Sequence, residues 1–227
     1  SDVIAHPVNA AIMYAVRRGA PAALFQSADG GITWTDITGV FPAAQATRIE
    51  LAVSPARPNS LYILAGKTDS KLLGVFRYDD PDGVVTLAGE GLVFSSSRID
   101  FGSQAAYDLA IAVDPQDANR IYVGGVRAFQ SSDGGATFSE LAGNIHVDWH
   151  ALVVDRHDPS RILAGNDGGI WMSVDRGATF QSRNYGLSAL LFYPGLAVHP
   201  TIPGYVLGGL QDNGTIRSGS FNVFEGV

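Results

Sequence analysis

The chain has 227 residues, 46% of them hydrophobic, with 15 Lys and Arg against 22 Asp and Glu for a formal net charge of −7. Its few, unclustered cations exclude the phosphate-neutralising surface that duplex nucleic acid needs, and no apolar run approaches the ~20 residues of a membrane-crossing helix. With no Cys in the sequence, disulfides and thiolate metal sites are excluded too.

In chain order, the first unit opens with Val3-Ile4-Ala5-His6-Pro7, an apolar strand stopped by Pro, then a short polar turn and a second apolar strand, Ala11-Ile12-Met13-Tyr14-Ala15. The same two-strand pattern returns four times: Leu51 to Pro55 then Ser60 to Gly66, Leu109 to Pro115 then Arg120 to Gly125, Ala151 to Asp155 then Arg161 to Gly165, and Gly195 to Pro200 then Tyr205 to Gly209. Continuous apolar strands of this kind are expected to be buried on both faces.

A second phrase follows the pair in three units. It reads Ser27-Ala28-Asp29-Gly30-Gly31-Ile32-Thr33-Trp34, Ser131-Ser132-Asp133-Gly134-Gly135-Ala136-Thr137-Phe138 and Ser173-Val174-Asp175-Arg176-Gly177-Ala178-Thr179-Phe180. Gly accepts a positive φ at no steric cost and Asp bonds its own backbone, so each phrase predicts a hairpin tip locked by Ser and Asp. Aromatics flank each tip and are expected to be buried: Phe25 and Trp34, Phe129 and Phe138, Trp171 and Phe180. The phrase has decayed around Asp80 in the second unit, and in the fifth it leaves Ile216-Arg217-Ser218 with Phe221 and Phe224.

Asp29, Asp80, Asp133 and Asp175 stand 51, 53 and 42 residues apart. Four strands at a period of ~40–50 residues predict an all-β fold, a β-propeller of four-stranded antiparallel blades, with five repeats over about 1–44, 45–97, 98–145, 146–188 and 189–227. The chain opens on the first strand of one unit and stops at the fourth strand of another, with no spare strand to close a ring. The expectation is a single propeller domain or a portion of one, with further blades in the parent protein. Ser1 enters directly into repeat sequence, so any leader is expected to have been removed or never present.

The hairpin phrase resembles the Asp-box, the bacterial neuraminidase repeat of sialidases, xyloglucanase-type hydrolases, sortilin-type propellers and photosystem-assembly propellers. In this resemblance Ser27, Asp29, Gly31 and Trp34, Ser131, Asp133, Gly135 and Phe138, and Ser173, Asp175, Gly177 and Phe180 are structural. Three further segments are similar to exported bacterial propellers described as sortilin-like or glycosyl-hydrolase-like. They are His146-Val147-Asp148-Trp149-His150, Asn166-Asp167-Gly168-Gly169 and Gln211-Asp212-Asn213-Gly214. The likeness implies an extracellular, cell-surface or periplasmic bacterial protein. The Cys-rich module of sortilins is absent, and so are the Arg-Ile-Pro phrase and Arg trio of sialidases.

Strand order puts the hairpin tips on one rim and the second-to-third-strand loops on the other. That other rim is expected to gather Arg127, Asn166, Asp167, Gln211, Asp212 and Asn213, together with Arg48, Tyr107, Asp108, His146, Asp148, His150 and Tyr193. Concave polar rims are the default place for a ligand, here glycan or protein. The alternative, a glycoside hydrolase, needs two carboxylates ~5–5.5 or ~6.5–9.5 Å apart, with Asp108, Asp148, Asp167 and Asp212 as candidates. His146, Asp148 and His150 at alternate positions would share one side of a strand. They are candidate ligands for Ca²⁺ or another divalent metal, although ~7 Å spacing requires the backbone to bend. No motif requires a cofactor.

Overall fold

The computed structural model describes residues 2–79, 84–86, 104–141, 143–187, 191–202, 204–218 and 224–226. It forms five four-stranded antiparallel sheets, each with its strands in sequence order. The first holds β1 (Val3–Ala5), β2 (Met13–Arg17), β3 (Ala23–Ser27) and β4 (Thr35–Asp36), and the second β5 (Ala46–Ser54), β6 (Arg57–Lys67), β7 (Leu72–Asp79) and β8 (Val84–Thr86). The third holds β9 (Ala110–Val113), β10 (Ile121–Gly124), β11 (Ala128–Ser131) and β12 (Ser139–Glu140). The fourth is β13 (Trp149–Val154), β14 (Ile162–Asn166), β15 (Gly169–Ser173) and β16 (Gln181–Ser182), and the fifth β17 (Phe192–Val198), β18 (Val206–Leu210), β19 (Thr215–Ser218) and β20 (Phe224–Gly226).

Side-chain alternation explains why the sheets stack face to face. Along β6, Leu61, Ile63 and Ala65 enter a core shared with Tyr14, Val16 and Leu24 of the first sheet. Tyr62 and Leu64 point the other way, into a core shared with Ile111, Ile121, Val123 and Phe129 of the third. A third core joins Ala110, Ala112 and Tyr122 to Trp149, Ile162 and Phe180. Burying a Leu, Ile or Phe side chain contributes roughly 1.5–3 kcal/mol, so these three seams dominate the stability. The first strands of successive sheets adjoin, β5 beside β9 and β9 beside β13, which makes them the innermost strands.

The three hairpin phrases fold alike. Ser27, Ser131 and Ser173 each donate their hydroxyl to the Asp two residues on, at 2.8, 2.7 and 2.7 Å. The same oxygens accept from the backbone N–H of Gly31, Gly135 and Gly177 at 2.9, 2.8 and 2.8 Å. Each Asp also accepts from the backbone and hydroxyl of Thr33, Thr137 or Thr179. Those bonds, the Thr hydroxyl foremost, hold the three carboxyls at a pKa of about 2. The backbone N–H of Gly30, Gly134 and Arg176 donates to Ala11, Asn119 and Ser160 in the first-to-second-strand turns, which fixes both kinds of turn on one rim.

Two expectations need correction. Phe129, Phe138 and Phe180 are buried, but Trp34 is 39% exposed, and Trp171 and Phe25 are only half-buried. Among the described residues no sheet packs on the face of the first sheet that carries Phe25 and Trp34. Nor are all the apolar strands covered on both faces, since Val3, Val153, Leu163 and Leu207 are exposed. Asp80 and Phe221 lie outside the described residues, as does the side chain of Phe224.

Ser131 is buried, and its loss leaves two backbone N–H groups without acceptors. Ser131→Ala should cost about 1–3 kcal/mol in chemical denaturation, whereas Ser132→Ala, on the exposed tip, should leave the midpoint unchanged.

Candidate functional site

The rim opposite the hairpin tips brings together the segment 104–109, the approach to β13, the β14–β15 loop and the β18–β19 loop. Arg48 on β5 anchors the first of these. Its guanidinium pairs with Glu50 at 2.9 Å and donates to the carbonyls of Tyr107, Ala106 and Leu109. Tyr107 is thereby held outward, the residue 62% exposed and its ring edge-on to His150 at 5.1 Å. Asp108 turns inward and is wholly buried.

His150 links two carboxylates. Its Nε2 lies 2.7 Å from Asp167 Oδ1, and its Nδ1 3.5 Å from Asp108 Oδ1. Neither oxygen of Asp108 has a hydrogen-bond partner among the described residues. Burial pushes the Asp108 carboxyl up to about 6, with Asp148 and Asp167 adding to the rise and His150 opposing it. Burial also raises Asp148, assisted by Asp167.

The His146-x-Asp148-x-His150 segment does not alternate along a strand. β13 begins only at Trp149, and Asp148 has φ 63°, in the left-handed region. The third sheet imposes the bend: the backbone N–H of Asp148 and Trp149 donate to the carbonyls of Val126 and Gly125. Both ring nitrogens of His146 meet carbonyl oxygens, Asp212 at 2.7 Å and Val147 at 3.0 Å, which only the imidazolium can satisfy with two donors. Burial works against that charge, but the two acceptors outweigh it and raise the His146 pKa. Trp149 packs into the core between the third and fourth sheets.

Asn166 is fully committed to structure. It donates to the carbonyl of His146 at 2.6 Å and accepts from Gly168 N and Trp171 Nε1 at 3.0 Å each. A Cβ on Gly168 would come within 2.5 Å of His146 Cβ, so this turn admits only Gly beside that histidine. Asn213 donates to the carbonyls of Asp167 and Gln211, tying the fourth sheet to the fifth. Asp212, with φ 57°, is a second left-handed residue at this rim. Such conformations gather at sites where backbone geometry serves function.

Tyr107, Asn166, Asp167, Leu191, Gln211 and Asn213 line a cleft of about 230 Å³. Arg127 lies apart from it, paired with Glu140 at 3.1 Å beside a separate cleft that His146 helps to line. Tyr193 is exposed on β17, outside the cleft lining. Among the described residues no three His, Asp or Glu side chains are placed to hold a metal ion. His146 and His150 turn their ring nitrogens to different partners, so this donor set does not fit the divalent ion expected for His146, Asp148 and His150. The roles of Gln104, which donates to Asp148 Oδ1 at 3.2 Å, and of Arg48 as an anchor were missed. The i, i+2 spacing of Arg48 and Glu50 on one strand was a signal for the second.

No family model and no curated protein matches the chain. Solved structures do. A GH74 enzyme from Niastella koreensis matches 98% of this chain at 17% identity and TM-score 0.62. YCF48 bound to D1 peptide matches 92% at 15% identity and TM-score 0.50, and an auxiliary nutrient binding protein from Bacteroides thetaiotaomicron 98% at 11% and 0.54. The likeness is one of fold: these sheets are the blades of β-propeller proteins. The chain spans 36%, 62% and 55% of those three chains' own lengths, respectively.

Asp108 favours the fold while its carboxyl is protonated. That contribution is full below the ordinary value of 3.8 and is lost as pH rises through about 6. Asp108→Asn should therefore raise the melting temperature at pH 7 but not at pH 3.5, flattening the profile between; parallel profiles for variant and parent would contradict this assignment.

Proposed function

We propose that this chain belongs to an exported or cell-surface bacterial propeller of the Asp-box kind, and that it binds glycan without hydrolysing it. The binding site is the rim opposite the hairpin tips. The observation that carries this reading is the cleft itself: an outward tyrosine ring held by Arg48, beside carboxylate, carboxamide and backbone groups. Sugars present hydroxyls in need of such donors and acceptors, and C–H faces that stack on aromatic rings. At about 230 Å³ the cleft is smaller than the ~300–1,000 Å³ of enclosed small-molecule sites. That suits a polymer gripped at one or two units. The fold is shared with a protein described as a nutrient binding protein, so binding is one use of this architecture.

Burial of Asp108 supports the non-catalytic reading. A hydrolase needs two carboxyl groups flanking the scissile bond, and a side chain with no exposed surface cannot touch one. One observation favours the hydrolase alternative: burial and the neighbouring Asp167 raise the carboxyl of Asp148, the direction a general acid needs.

Affinity electrophoresis against a panel of soluble polysaccharides, paired with a reducing-sugar assay, tests the proposal. Retardation on at least one glycan, weakened about tenfold or more by Tyr107→Ala (roughly 1.4 kcal/mol), with no sugar released, is the expected result. Sugar release abolished by Asp148→Asn or Asp167→Asn would establish the hydrolase instead. Retardation unaffected by Tyr107→Ala would remove the site from this rim.

A further inference from the structure

Resting on the glycan-binding reading of the same rim, we infer that the ligand it prefers carries a free amine: a polymer of amino sugars whose ammonium group pairs with Asp167 while the sugar face lies on the Tyr107 ring.

Four carboxyl groups, those of Asp108, Asp148, Asp167 and Asp212, come to this rim from four separate segments. The charges that weigh most on Asp148 are Asp167, His146, Asp108 and Asp212, and those on Asp108 are His150, Asp148 and Asp167. Neither set includes a Lys or an Arg. Arg48 and Arg18, which reach the segment 104–109, are engaged elsewhere. Arg48 pairs with Glu50 at 2.9 Å and donates to backbone carbonyls, and Arg18 donates to the Ala106 carbonyl at 3.4 Å. His146 gives both ring nitrogens to carbonyls. Of these side chains only His150 reaches the cluster, at 2.7 Å from Asp167 and 3.5 Å from Asp108.

Asp108 is an independent sign of the same imbalance. It is wholly buried and turned toward His150, and neither of its oxygens has a hydrogen-bond partner among the described residues. A buried carboxylate without donors is costly, and holding a proton relieves that cost, in keeping with the rise of this carboxyl to about 6. The site lacks positive charge, and its shape says which kind it accepts. Among the described residues no three His, Asp or Glu side chains converge as a metal ion requires. An ammonium group asks less, since its N–H donors can each meet a separate acceptor. Asp167 engages one oxygen with His150, and its other oxygen and the exposed carboxylate of Asp212 accept nothing from the described residues. His150 touches both Asp167 and the Tyr107 ring, so carboxylate and aromatic platform stand side by side in the cleft. A uronic acid or sulfated sugar would add negative charge here, and a neutral sugar would leave the imbalance in place. Discrimination against acidic sugars is thus built into the rim.

Isothermal titration with β-1,4-linked hexamers of glucosamine, N-acetylglucosamine and glucose, and with a galacturonic acid hexamer, tests the inference at physiological salt. The glucosamine hexamer should bind at least about tenfold tighter than its acetylated counterpart, the gain expected of one charge-assisted hydrogen bond, and the galacturonic acid hexamer should not bind. Asp167→Asn should remove most of that preference. Asp212→Asn, a change its left-handed φ of 57° tolerates, should remove part of it. Asp158→Asn takes a charge from the hairpin rim while keeping the acceptor for Ser160, and should leave the preference unchanged. Equal affinity for the amine and acetylated hexamers, or tighter binding of the galacturonic acid hexamer, would overturn the inference; the glycan reading stands if Tyr107→Ala still weakens binding. A loss in Asp158→Asn as large as in Asp167→Asn would also overturn it, tracing the attraction to the overall charge of −7. Binding to none of the hexamers overturns the inference too, and if every polysaccharide of the panel also fails to bind, the glycan reading falls with it.

Discussion

A sheet with apolar side chains on both faces is stable only when each face is covered. That constraint holds the first four sheets of this chain together through three shared cores and organises everything else. β6 shows it most directly, sending alternate residues into two different cores. Where sheets stack on both faces, as the second and third do, the strand ends stay exposed and the loops gather at two rims. Chemistry must then reside on one rim or the other.

The two rims have divided their work. At the hairpin rim, Ser, Asp and Thr satisfy one another and the turn's own backbone, three times over. Arg176 departs from this pattern: it stands in the left-handed position that Gly30 and Gly134 occupy in the other phrases. Its side chain reaches the buried Asp114 of the neighbouring sheet, and an inter-sheet ion pair offsets the backbone strain. The opposite rim has an outward tyrosine, a buried carboxyl met only by His150 at 3.5 Å, and two left-handed aspartates. Saturation at one rim and unspent polarity at the other is the reason recognition is proposed at the second.

The fold was legible because each unit repeats its own grammar. Pro after the first strand, Gly after Asp, and an aromatic at the close mark the same four strands wherever they recur, and five sheets follow. The site was legible only in part. Asp167 and Asn213 could be assigned to the correct rim by counting loops, but Asp148 could not be oriented, since its conformation is set by carbonyls on a different sheet. Asn166 reads as a ligand contact in sequence, yet its carboxamide is consumed by His146, Gly168 and Trp171. Likewise, nothing local in Trp34 distinguishes it from Phe138 and Phe180. Its exposure depends on a neighbour, and neighbours are a property of the stack.

Hydrogen exchange with and without a bound polysaccharide tests the central claim, that recognition sits at the rim away from the hairpin tips. The account predicts slowed exchange in 104–109, 146–150, 166–169 and 211–213, with 27–34, 131–138 and 173–180 unchanged. Protection of the three hairpin phrases, with the other rim exchanging as before, would contradict it.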